Sequence, residues 1–167
     1  MARPIRYRSA SPFTAEQTFL VMADPDYLRA RLAKLGGPGA ALLEHSVDGD
    51  GVRYRLRQGL DHAVLPPLVQ SLVGDDLVIE RDETVHPHPA GYRGDVGVRV
   101  PGTPVSASGA MGLRDLPEGS EFMVRAEVVV RVPIMGGKLE TMIAEQVLRL
   151  LAVETEFTRE WLTARQG

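Results

Sequence analysis

The 167-residue sequence has no cysteine and no asparagine, and its only lysines are Lys34 and Lys138. Without cysteine there can be no disulfide, thiolate metal site, iron–sulfur cluster or cysteine nucleophile. The use of arginine in place of lysine matches the codon bias of a GC-rich genome, which points to a source and not to a function. Long apolar runs are also missing. Nothing approaches the roughly 18 to 20 apolar residues of a membrane span, and the densest stretch, 147–153, is interrupted by Arg149. Arg3, Arg6 and Arg8 have no apolar core behind them, so no secretory signal is expected and a cytoplasmic location is. With a net charge of -3 and a pI near 5.8, the chain lacks the concentrated basic surface that nucleic acid requires. The phosphate-loop, nucleophile-elbow, dinucleotide and H-E-x-x-H patterns are absent, and no cofactor is expected.

What the chain does hold is a hydrophobic fraction of 44% with 25% charged residues, enough for one domain over 1–167 with a real core. The stretch from 133 to 165 reads as one long helix, about 40 Å in length. At 100° per residue, Leu139, Met142, Ile143, Val147, Leu150, Val153, Phe157 and Trp161 fall on one stripe. Gln146 near the middle and Glu154 at the edge interrupt it. A helix of that length needs something wide beneath it.

The rest of the chain supplies a sheet. Residues 5–10 alternate as a first strand. Thr14 with Gln17 fits a capping box, and Asp24-Pro25 opens a second short helix that ends at Gly36-Gly37. From residue 40 the period becomes two: Leu43, His45 and Val47 turn through Gly49-Asp50-Gly51 into Val52, Tyr54 and Leu56, which is a hairpin. The 60–74 stretch breaks the alternation and reads as an apolar flap with about one helical turn. Strands follow at 77–85, 92–100, 105–113 and 121–132. One strand, two helices, six strands and a long helix make an α+β domain, a curved antiparallel sheet packed on its C-terminal helix.

This order of elements, with the final PIMGGKLETMIAEQV and FTREWL, resembles the helix-grip fold of the START-like, or Bet v 1-like (SRPBCC), superfamily. Within it the chain is similar to an uncharacterised actinobacterial group. The resemblance implies a cavity between sheet and helix that holds a lipid, quinone, polyketide-like or other apolar molecule. It also implies that a minority of members are cyclases or aromatases.

The alternation turns an apolar face inward. Val98, Met111 and Val124 are large, whereas Ala107, Gly109 and Ala126 are small and either leave room for a ligand or let the helix approach. With Met142, Ile143 and Leu150 from the helix they are the candidate ligand-binding surface. Gln146, His45 and Tyr54 are the polar groups that would orient the ligand, unless each is satisfied within the core. His86 and His88 lie in a His-Pro-His-Pro turn without a third ligand at defined spacing, so no metal site is expected. Gly136 and Gly137 open the helix, with Lys138 and Glu140 solvated. Three readings follow: a noncatalytic carrier of a hydrophobic small molecule, a cyclase or dehydratase using His45 with Tyr54 or Glu154, or an interaction module whose groove is filled. The sequence names no protein partner.

Overall fold

The computed structural model describes residues 2–166. The elements are β1 (Ala2–Ser11), α1 (Ala15–Met22), α2 (Pro25–Leu35), β2 (Ala41–Asp48), β3 (Gly51–Leu60), a 3-10 turn (His62–Val64), α3 (Pro67–Gln70), β4 (Leu77–His88), β5 (Gly91–Arg99), β6 (Val105–Leu116), β7 (Gly119–Val130) and α4 (Gly136–Gln166). The seven strands form one antiparallel sheet in the order β1-β7-β6-β5-β4-β3-β2. Strands β2 to β7 are a meander, and β1 adds itself beyond the last of them. The chain must therefore pass from one edge of the sheet to the other between β1 and β2, and α1 and α2 make that passage.

Local chemistry fixes both short helices. Thr14 Oγ1 accepts from Gln17 N at 3.1 Å while Gln17 Oε1 accepts from Thr14 N at 2.9 Å, the expected capping box. Asp24 accepts from Asp26 N at 2.9 Å, and Pro25 occupies the first turn of α2, where its missing N–H costs nothing. The flap resolves into the 3-10 turn and α3. His62 Nε2 donates to Val73 O at 3.0 Å and so holds the loop to itself. Strand β4 runs on through the His-Pro-His segment, which was expected to be a connection.

The core has two centres. One lies under α1 and α2, where Tyr27, Leu28, Tyr54, Leu56, Leu113 and Leu151 are buried together. The other joins Ile5, Val128 and Val130 to Leu139 and Ala144 of α4, with Leu68 and Val69 of α3 packed against it.

Three sequence expectations are corrected by the packing. Helix α4 is rotated from the expected stripe: Glu140, Ala144, Leu151 and Glu154 are buried, Gln146 is exposed, and Val153 is 48% exposed. The cause is polar. Glu140 Oε2 accepts from Val130 N at 2.9 Å, so that carboxylate is not solvated, and Glu154 is drawn in by arginines. Strand β2 carries a register shift between Leu42 and Glu44, which leaves Leu43 and Val47 exposed beside a half-buried His45. Gly109 serves the sheet itself, since a Cβ there would lie 2.0 Å from Arg125 O and 2.7 Å from the Cβ of Ala126 opposite.

Because backbone cannot yield at that contact, Gly109→Ala is expected to destabilise the fold by about 1–3 kcal/mol, the usual cost of overpacking. Urea unfolding measures it, and an unchanged midpoint would show that β6 and β7 can separate there without loss.

Candidate functional site

The alternation of β3 and β4 carries polar groups inward along with apolar ones. On β3, Gln58 continues the inner series of Val52, Tyr54 and Leu56; on β4, Arg81 and Glu83 sit in phase with buried Val85. Tyr54 lies opposite Glu83 and Leu56 opposite Arg81. From α2, Arg31 lies one turn beyond Tyr27 on the buried face, and its guanidinium carbon is 5.6 Å from the Tyr27 ring centroid. From α4, Glu154 and Thr158 project into the same space, and Thr158 shares a hydrogen bond with the Tyr27 hydroxyl.

Arg81 is the hub. Its Nη1 and Nη2 donate to Glu154 Oε2 and Oε1, both at 2.9 Å, its Nε donates to Glu83 Oε2 at 2.9 Å, and Nη1 also reaches Gln58 Oε1 at 3.4 Å. This is the two-pronged arginine–carboxylate geometry, and it is buried. Arg31 is placed differently. Its Nε is 3.9 Å from Glu154 Oε2, close enough for ionic attraction and too far for a hydrogen bond. Among the described residues, Arg31 Nε, Arg31 Nη2 and the Tyr54 hydroxyl are buried without a hydrogen-bond partner.

The charges hold each other ionised. Burial alone would raise the pKa of Glu154, but Arg31 and Arg81, with hydrogen bonds from Arg81 and Gln58, bring it down to about 2. For Arg31, burial is the largest influence and acts downward; the attraction of Glu154 is the foremost of the influences that carry it above the ordinary arginine value. Tyr54 is pushed up by burial first and then by the neighbouring Glu83, which keeps its hydroxyl protonated.

A cleft of about 50 Å³ reaches this cluster. Arg31, Arg81, Glu83 and Glu154 line it, as do the apolar Met22, Leu113 and Leu151, and Ser9, Ser11 and Arg159 also border it. Across the neighbouring strands from the cluster the sheet's inner face is incompletely covered. Val96 follows Glu83 across β5, and Val98 and then Ala107 follow Arg81 across β5 and β6. Val96, Val98 and Ala107 are only half-buried, as are Ile143 and Val147 of α4.

The residues expected from the sequence divide into groups. Val98, Ala107, Gly109 and Ala126 lie on the incompletely covered inner face, with Met142, Ile143 and Leu150 half-buried on the helix. Met111 and Val124 are fully buried in the first core centre. Tyr54 belongs to the polar cluster, 1% exposed. His45 pairs with Tyr54 across β2 and β3, and its Nε2 donates to Ala23 O at 2.7 Å, tying β2 to the end of α1. Gln146 faces outward, away from all of these. Arg31, Gln58, Arg81 and Glu83 were not anticipated. The signal for three of them was present: inward phase on strands whose outward positions are also polar. Arg31 repeats the helical phase of Tyr27.

The folded pKa of Glu154 lies below the ordinary 4.5, so its stabilising contribution is complete above that pH and drains away as the pH falls toward about 2. Glu154→Gln is expected to flatten this acid limb and to cost on the order of 3–5 kcal/mol at neutral pH, the price of leaving buried guanidiniums uncompensated; an unaltered acid limb would contradict the pairing. Tyr54→Phe deletes an unpartnered buried hydroxyl, so its urea midpoint should stay level or rise, whereas a loss above about 1 kcal/mol would show that the hydroxyl is bonded.

Comparison with known proteins supports the architecture. Residues 6–162 match the family described as protein of unknown function, DUF2505. The uncharacterized protein Rv0481c of Mycobacterium tuberculosis is 31% identical over 158 residues, covering 90% of this chain and 91% of the relative. Among solved structures, TTHA0849 from Thermus thermophilus has a TM-score of 0.65 at 14% identity, covering 99% of this chain and all of its own. The Zhui aromatase/cyclase from Streptomyces has a TM-score of 0.65 at 14% identity over 100% of this chain and 97% of its own. The protein Ara h 8.0201 gives 0.59 at 12% identity, covering 98% of this chain and 99% of its own. These likenesses establish the helix-grip, Bet v 1-like fold, and with the sequence match they make this chain a member of the DUF2505 family.

Proposed function

We propose that the protein binds and carries a hydrophobic small molecule between the inner face of the sheet and α4. The observation that carries this reading is the incompletely buried inner surface of Val96, Val98, Ala107 and Ile143, which runs along strand register into a buried cluster holding free hydrogen-bond donors. An apolar body lying on that surface would be driven by burial at roughly 25 cal/mol per Å² before ordering costs. The likeness in fold to an aromatase/cyclase, whose name denotes work on a small organic molecule, is consistent with such an occupant.

The cleft of about 50 Å³ is small against the roughly 300–1,000 Å³ of ordinary ligand pockets. Binding therefore requires wall side chains to swing aside, and α3, which packs Leu68 and Val69 against the same core centre as Ala107 and Ile143, is an element that covers this part of the inner face. A carrier reading is preferred to acid–base catalysis because Glu154 is held as an anion and the Nε2 of His45 is engaged by Ala23 O.

Native mass spectrometry of the purified protein beside a denatured extract would reveal a co-purifying molecule and its class. In titrations with the fluorophore N-phenyl-1-naphthylamine, Ala107→Trp should weaken binding at least about tenfold by filling the inner face, with the circular dichroism spectrum retained. A protein that neither co-purifies with a molecule nor binds the fluorophore would defeat the proposal.

A further inference from the structure

Resting on that reading, we infer that the ligand is uncharged and carries a carbonyl oxygen, which the free edge of Arg31 and the Tyr54 hydroxyl receive. The first argument is geometric. The unpartnered atoms of Arg31 are Nε and Nη2. These two nitrogens direct parallel N–H bonds from one edge of the guanidinium plane, so a single oxygen with two lone pairs, or the two oxygens of a carboxylate, can take both. Arg31 is 4% exposed and borders the cleft, and Tyr54 is 1% exposed. Tyr54 belongs to the same core cluster as Tyr27, whose ring centroid lies 5.6 Å from the Arg31 guanidinium carbon.

Charge decides between the two kinds of acceptor. The cluster contains two guanidiniums, Arg31 and Arg81, and two carboxylates, Glu83 and Glu154, so it is formally neutral. Glu154 Oε2 already stands 3.9 Å from Arg31 Nε, on the edge that the ligand would approach. A ligand carboxylate would bring a third anion into this buried space, beside Glu154 and without a cation of its own, and would lose its hydration without a compensating charge. A ketone or quinone oxygen accepts the same N–H bonds with no added charge. It also relieves buried donors that otherwise cost free energy by lacking partners.

The apolar walls of the cleft that Arg31 borders are Met22, Leu113 and Leu151, and past Glu83 and Arg81 the strand register continues the inner face. From Glu83 the inner face continues to Val96 on β5, and from Arg81 to Val98 and Ala107 on β5 and β6. Adjacent strands are about 4.8 Å apart, so Tyr54 on β3 and Val96 on β5 are roughly 10 Å apart across the sheet. A molecule about two fused rings long, with its carbonyl at one end, spans that distance.

The test uses three naphthalenes of nearly equal size: 2-acetylnaphthalene, 2-ethylnaphthalene and 2-naphthoate. Their affinities are measured by displacement of N-phenyl-1-naphthylamine, and the carbonyl stretch of the bound ketone by infrared difference spectroscopy. The ketone should bind about 10- to 100-fold more tightly than the hydrocarbon, the worth of hydrogen bonds to a charged donor, with the carboxylate weakest. Its carbonyl stretch should fall below the value in hexane. Arg31→Met should abolish the ketone's advantage while leaving the hydrocarbon's affinity in place, and Arg31→Lys should restore part of it. Should Arg31→Met fail to fold, the wild-type affinity order and carbonyl frequency still decide. Equal affinities for ketone and hydrocarbon, tightest binding by the carboxylate, or an unshifted stretch would each overturn the inference while the carrier reading stands. Displacement by none of the three while the fluorophore binds would overturn the inference alone, whereas a protein that neither binds the fluorophore nor co-purifies with a molecule would overturn both.

Discussion

The bidentate contact between Arg81 on β4 and Glu154 on α4 is the constraint on which the architecture turns. A buried pair of this kind has one acceptable geometry, because neither partner can be left alone in the interior without a penalty of several kcal/mol. It therefore fixes how α4 is rotated about its axis. Apolar periodicity alone would have placed Val153 and Gln146 inward; the ion pair, seconded by Glu140 on the backbone N–H of Val130, turns them out and brings Ala144 and Leu151 in. With its rotation fixed, α4 presents Thr155 to the Tyr7 hydroxyl at 2.6 Å and Phe157 and Trp161 to Tyr27, so β1 and α2 are positioned against the same helix.

The fold was legible because its signals are local and repeat. Period-two alternation from residue 41 onward, a capping box at Thr14 and the proline of Asp24-Pro25 each rest on interactions within a few residues, and each element appears where those signals lie. The ends of strands were less legible. Strand β4 continues through Pro87 because that residue lies near the strand's end, where pairing with Tyr92 of β5 tolerates a missing N–H.

The polar site was legible in part. The inner phase of Gln58, Arg81 and Glu83 can be read from the strands, but a charged residue in phase with the core is ordinarily taken as an error of phase or as a strand edge. What makes it sensible is the arrival of compensating groups from α2 and α4, at sequence separations of 73 between Arg81 and Glu154 and 96 between Gln58 and Glu154. No local pattern encodes that meeting. His45 shows the reverse case: its phase is visible, but the donation to Ala23 O depends on how α1 ends and on the bulge that follows Leu42.

Pinning the helix requires only one of the two arginines. Arg81 already meets both oxygens of Glu154 and one of Glu83, which satisfies the geometry of a structural clasp. Arg31 adds a second buried cation to the same carboxylate without hydrogen-bonding to it, at a desolvation cost that a hydrophobic residue of similar length would avoid. Its attraction to Glu154 offsets part of that cost, and its stacking near Tyr27 a further part. Neither contact satisfies the N–H edge formed by Nε and Nη2 with a hydrogen bond, since Glu154 Oε2 stands off at 3.9 Å from Nε. A purely structural arginine would be expected to place that edge on an acceptor within the fold, as Arg81 does. The contrast between two arginines in one cluster, one saturated and one with its fork unbonded at the border of a small cleft, separates the part of the cluster that holds the helix from the part left with unused donors.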